Sequence, residues 1–185
     1  MTTVAENASA FCSAVKARSR EHHEAMEVAL DKGWLAIAGS VLRMELDSMI
    51  RVIWLLDHPD SREQILAACV AGEGFKAGRV PVRDFEMVNH AVSSHGWVRR
   101  VYDFGNRFVH LTNAHDYAER DPFQAYEHRA EVIEYINDYH RGKIPGGPLD
   151  DRSSLIDLVP YAPHVLEKIT SNLDYYLSGL RARCV

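Results

Sequence analysis

The stretch WLAIAGSVLRMELDSMIRVIWLLDHP, residues 34–59, decides the fold. Leu35, Ala38, Leu42, Leu46, Met49, Ile53 and Leu56 recur at spacings of three and four, the apolar stripe of an amphipathic helix. Pro59 stops that helix, because its ring clashes with the preceding turn and it has no amide hydrogen to donate. Between Ile50 and Leu56 only Arg51 is polar, so this part of the helix is apolar nearly all round. Such a helix needs neighbours on several sides and belongs in the middle of a bundle.

Helical periodicity continues on either side. A first helix is expected over residues 4–31, with Phe11, Val15, His22, Met26 and Leu30 on one face and Gly33 as its break. Asp60 or Ser61 is the expected cap of a short helix through Ala71, closed by the turn AGEGFKAGRVP. Residues 83–93 read as another short helix. From Trp97 onward, Trp97, Val101, Phe104, Phe108 and Leu111 form a seam of 4-3-4-3 spacing. A sixth segment covers 123–140, with Tyr126, Ala130, Ile133 and Ile136 inward. The last runs from about Pro163 to Arg183 on Leu166, Ile169, Leu173, Leu177 and Leu180. GKIPGGPLDD, at about 142–152, is the clearest loop. No period-two alternation stands out, so no sheet is indicated. The expected fold is all-α, an antiparallel up-and-down bundle of four to five long helices plus short ones, in a single domain over 1–185.

Composition narrows the function. A net charge of −5 and a pI near 6.0 argue against a protein built around nucleic-acid phosphates. Lys76, Arg79, Arg83, Arg99, Arg100 and Arg107 could form a local basic patch, but Asp84, Glu86 and Asp103 are interspersed. The three cysteines, Cys12, Cys69 and Cys184, have no redox or metal spacing. The N-terminal residues carry no secretory signal, and VIWLLDHP is too short to span a bilayer. A cytoplasmic protein is expected. No glutamate has a histidine three residues later, H-E-x-x-H is absent, and no phosphate loop or G-x-S-x-G elbow occurs. No metal or cofactor is expected, and no membrane partner.

Two polar residues on apolar faces hold the chemical interest. Glu45 has Leu42, Ser48, Val41, Met49 and Val52 as helical neighbours, and a buried carboxylate is costly unless paired. It reads either as an ion pair fixing helix register or as a carboxylate orienting a histidine. Arg43 and Arg51 on the same helix could pair with neighbouring helices. His110 continues a face with Asp103, Asn106, Arg107 and Asn113, roughly opposite the seam. That face is either solvated or able to bind phosphate or polarise a reacting group. Gly105 within this helix costs about 1 kcal/mol against Ala, which points to close approach of another group.

VLRMELDSMIRVIWLLDHP followed by VYDFGNRFVHLT resembles the HEPN superfamily of helical bundles, over residues 30–115. It is similar to its uncharacterised bacterial, abortive-infection-like branches, through the Arg43–Glu45 helix and the run from Tyr102 to His110. The resemblance implies a homodimer and, in active members, metal-independent RNA cleavage by an Arg followed after four to six residues by His. Here the corresponding positions before His110 are Asp103, Phe104 and Gly105, and Arg107 lies too far from His115. Arg18 with His23, Arg51 with His58 and Arg83 with His90 match the spacing, about as often as chance supplies. The expectation is a non-catalytic HEPN-like module binding a nucleotide, RNA or a partner protein in a groove around Glu45, Arg107 and His110. The alternative is a metal-independent endoribonuclease. There His110 with Arg107, or His90 with Arg83, would carry acid/base chemistry and phosphate stabilisation, with Glu45, Arg43, Asp103 and Asn106 supporting.

Overall fold

The computed structural model describes residues 2–110, 112–116, 119–140, 143 and 146–184, with the backbone alone at Asn113. Leu111, the last member of the seam, and parts of the 142–152 loop lie outside these residues. The described chain is mostly helical. Its α-helices are α1 (Val4–Asp31), α2 (Leu35–Asp57), α3 (Pro59–Val70), α4 (Asp84–Val92), α5 (Val98–Val109), α6 (Arg129–His140) and α7 (Ala162–Arg183). Three of them exceed twenty residues, α1, α2 and α7; the other four have twelve or fewer. No helix among the described residues is long and apolar enough to cross a membrane.

The residues fall into two compact units. The first comprises Met1–His22, Met44–Arg99 and Lys168–Val185. Its core is the apolar part of α2, where Ile50, Val52, Ile53, Leu55 and Leu56 are all buried, with Ile65, Leu66, Met87, Val88, Leu173 and Leu177. Each such side chain removed from water contributes about 1.5–3 kcal/mol, so the second half of α2 is the main apolar anchor of this unit. The second comprises His23–Arg43 and Arg100–Glu167. Phe108, Ala114, Phe123, Tyr126 and Leu155 form its core, packed by Leu35, Ala36 and Phe104, beside a smaller cluster of Ile136, Leu149 and Tyr161.

Helix ends follow backbone chemistry. At Gly33, with φ of 69°, the amides of Gly33 and Trp34 return to the carbonyls of Leu30 and Ala29, a left-handed Schellman cap. Gly72 closes α3 in the same way, through Ala68 and Cys69. Pro59 both ends α2 and opens α3. At the first helical position its missing N–H is harmless and its φ is already helical. His58 therefore takes the cap position, not Asp60 or Ser61.

Two other expectations are corrected. The AGEGFKAGRVP turn carries a small antiparallel pair, β1 (Lys76–Ala77) with β2 (Val80–Pro81). Two-residue strands are too short to leave an alternation. Helix α6 begins at Arg129 rather than 123, because the Asp121 carboxylate accepts from the amides of Phe123, Gln124 and Leu155. A side chain that captures those amides holds the backbone in turns, outside the helix. Tyr126 and Ile136 are buried as expected, whereas Ala130 is exposed.

At Gly105, α5 packs closely against α2. A Cβ there would lie 2.7 Å from the Cβ and 3.4 Å from the Cα of Arg43. Neither atom is the free end of a flexible chain, so the helices must separate to admit a methyl group. Gly105→Ala is expected to destabilise by about 1–3 kcal/mol despite the better helix propensity of alanine, read as a lowered thermal midpoint. An unchanged or raised midpoint would show that this contact is loose.

Candidate functional site

Glu45 is completely buried in the first unit, and among the described residues its hydrogen-bond partners are side chains of α1 and α7. Ser19 Oγ donates to Oε1 at 2.5 Å and Thr170 Oγ1 to the same oxygen at 3.0 Å. His22 Nδ1 lies 2.6 Å from Oε2. Burial pushes the Glu45 pKa up. The hydrogen bonds from His22, Ser19 and Thr170 and the His22 charge outweigh it, leaving the carboxyl below its ordinary value of 4.5. The carboxylate thus orients a histidine, and the histidine is itself buried, 5% exposed. Its place among three helices makes it a structural tie. Nearby, Asp47 accepts from Arg51 at 2.8 Å and from Arg18 at 3.5 Å, while Arg51 also reaches Asp84 of α4.

Arg43, in the second unit, is a clamp between α2 and α5. Its Nε donates to Asn106 Oδ1 at 2.9 Å, and its guanidinium lies 4.2 Å from the centre of the Tyr102 ring. Asn106 is therefore a partner of Arg43, not a member of an open face. Arg107 places its guanidinium 5.3 Å from the centre of the Tyr126 ring. Burial first, then the charge of Asp103, pushes the Tyr126 phenol up to about 12 against the opposing charge of Arg107. His110 lies beyond the last residue of α5 and is exposed. Asn106, Arg107 and His110 thus have three different surroundings.

The alternative pair separates as well. Arg83 caps α4, its amide donating to Glu86 at 2.9 Å, while His90 sits near the other end of that helix. Seven residues put them about 10 Å apart along the axis. His90 does have a partner: its Nε2 lies 2.9 Å from Asp57 Oδ2, and its ring packs edge-on against His58 and Trp54, which stack on each other.

Asp57 leads to a feature that sequence reasoning missed. Ile53, Leu56 and Asp57 of α2 and Tyr175, Tyr176, Ser178, Gly179 and Arg183 of α7 line a cleft of 280 Å³ in the first unit. Arg183 donates to the Leu56 carbonyl at 2.8 Å, and Arg62 covers the carbonyls of Leu55 and Leu56. Tyr176 hydrogen-bonds His95 Nε2 at 2.6 Å. Burial lowers the His95 pKa, and burial followed by the Asp57 charge raises that of Tyr176. The imidazole is then neutral at pH 7 and the phenol can donate to it. Tyr175, Gly179 and Arg183 stand at i, i+4 and i+8, a second face of α7 beside its leucine face. That spacing was the available signal. Among the described residues no group of three or more His, Cys, Asp or Glu side chains is placed to hold a metal ion.

No protein-family model, curated protein or solved structure matches this chain.

The Glu45 network has a pH signature. A carboxyl with a depressed folded-state pKa adds stability above its unfolded value, and loses it as pH falls through the folded one. Stability is expected to drop below about pH 4.5, and Glu45→Gln should remove that part of the pH dependence. Near pH 7, Glu45→Ala should cost about 3–5 kcal/mol, since it strands His22, Ser19 and Thr170. Denaturant midpoints of the variants from pH 3 to 7 read both effects; parallel curves would refute the assignment.

Proposed function

We propose that this chain is a non-catalytic HEPN-like helical binding module, homodimeric and cytoplasmic, whose ligand occupies the cleft between α2 and α7. The single observation that carries the reading is that cleft, in which acidic, basic and phenolic groups line a volume of 280 Å³. By contrast, Glu45 and Arg43 are spent on holding helices together. The groove first expected around Glu45, Arg107 and His110 is therefore not the surface proposed here. The resemblance would bring RNA or a nucleotide to such a module.

The antiparallel up-and-down arrangement, in one domain over 1–185, belongs to the same proposal, and side-chain pairings support it. Arg18 and His22 of α1 meet Asp47 and Glu45, one number rising as the other falls. Ser40 and Arg43 meet Phe108 and Asn106 in the same sense. Glu45 and Leu56 meet Thr170 and Arg183, both rising. Within each unit the neighbours of α2 run as an up-and-down bundle requires, α1 antiparallel and α7 parallel in the first and α5 antiparallel in the second. Trp34, just before α2, and Ile37 in its first turn are half exposed and are the apolar pair we assign to a second copy. Three free cysteines agree with a reducing compartment.

One observation favours the metal-independent endoribonuclease as the second reading: Asp57 orients the His90 imidazole, as a carboxylate does for a general base. Incubation with single-stranded RNA in excess chelator separates the two. The module reading expects no cleavage that depends on His90 or His110. Chelator-resistant cleavage lost in His90→Ala or His110→Ala would replace it with the ribonuclease.

A further inference from the structure

The α2–α7 cleft has a polarity of its own. Asp57 and Arg183 both line it, and they form no ion pair with each other. Asp57 gives one carboxylate oxygen, Oδ2, to His90; no hydrogen bond to Oδ1 occurs among the described residues. Arg183 donates through one terminal nitrogen to the Leu56 carbonyl. The rest of its fork makes no hydrogen bond among the described residues. Tyr175 is 75% exposed, an unusual setting for a large ring on a packed helix. Ile53, Leu56 and Gly179 supply an apolar floor.

The backbone adds to this. α2 ends at Asp57 and α7 at Arg183, and the contacts of Leu56 with Arg183 bring the two C-terminal ends together. The negative end of the α2 dipole adds to Asp57 and favours a cationic group there, while at the end of α7 the Arg183 guanidinium supplies the opposing positive charge. A carboxylate with flanking tyrosine rings is the chemistry that recognises an ammonium. A guanidinium with free donors recognises a carboxylate through its fork. The two poles lie within about 10 Å of each other, because Asp57 follows Leu56, whose carbonyl accepts from Arg183 at 2.8 Å. An extended peptide spans about 3.3–3.6 Å per residue, so one to three residues fit between them.

Taking the cleft as the ligand surface proposed above, we infer that its ligand is a small zwitterion, a free amino acid or a peptide of up to three residues, with its ammonium at Asp57 and its carboxylate at Arg183. The side chains lie over Ile53 and Leu56 and against the ring of Tyr175. Binding of this kind needs both charges, which sets it apart from an apolar molecule filling the same space.

The test is a titration of the full chain, followed by amide NMR shifts, with leucine, Ala-Leu and Ala-Leu-Ala, each also as its N-acetyl and C-amide form. At least one free form is expected to saturate shifts at Leu56, Asp57, Tyr176 and Gly179. Acetylation or amidation should each weaken it about tenfold, the effect of losing one charge-assisted contact. The capped ligands probe the wild-type chain, so no variant needs to fold. With Asp57→Asn, acetylation should make no further difference, and with Arg183→Gln amidation should make none. No shift with any free form, or equal binding of capped and free forms, overturns the inference. If adenosine monophosphate or an RNA oligonucleotide saturates these amides where peptides do not, the cleft is a nucleotide site. The zwitterion is then wrong, while the module reading stands. Chelator-resistant RNA cleavage would instead remove the module reading itself.

Discussion

One carboxylate organises the first unit. Glu45 sits where water cannot reach it, and a lone ionised carboxyl there would cost far more than any packing gain. Its two oxygens are satisfied by three donors from two other helices. The donors sit at fixed positions along α1 and α7, so the network admits one rotation and one register of each. Packing of leucines alone would tolerate a slide by a turn; a 2.6 Å contact to His22 does not. Arg43 plays a similar part in the second unit, with Asn106, Tyr102 and the bare backbone of Gly105 as its counterparts.

This explains which parts could be read from sequence and which could not. The long helices were legible because their stripes are long: α1, α2 and α7 have the expected extents, and the five residues expected inward on α7 are all buried. Glu45 stood out for its apolar neighbours, and its contact with His22 ties α2 to α1. Its partners could not be named, since Ser19 and Thr170 are ordinary helix residues until the packing is known. The start of α6 failed on one competing side chain, Asp121, and the β1–β2 pair on its brevity.

The candidate residues of α5 do not share one open face, for a related reason. Asp103, Asn106, Arg107 and His110 look like a single polar face when plotted on one helix. Helix α5 in fact spends that face on two neighbours, Arg43 and the ring of Tyr126, and leaves His110 beyond its end. The cleft draws instead on the terminal turns of two helices more than a hundred residues apart in sequence. Tyr175, Gly179 and Arg183 carry a helical spacing, but their meaning depends on the end of α2 arriving beside them.

The reach of the Glu45 network has a consequence for how the chain is made. Thr170 stands 125 residues beyond its acceptor, and the first unit needs both the opening helix and residues 168–185. A chain still being synthesised can form α1 and α2 early, but the buried carboxylate lacks one of its three donors until residue 170 has emerged. Contacts of such long range make folding slow, because the intervening loop must close before they reward it. During that interval the apolar end of α2 has no α7 to cover it. Of all its segments, the nascent chain is therefore most exposed to misassociation along the stretch that later forms its best-buried core.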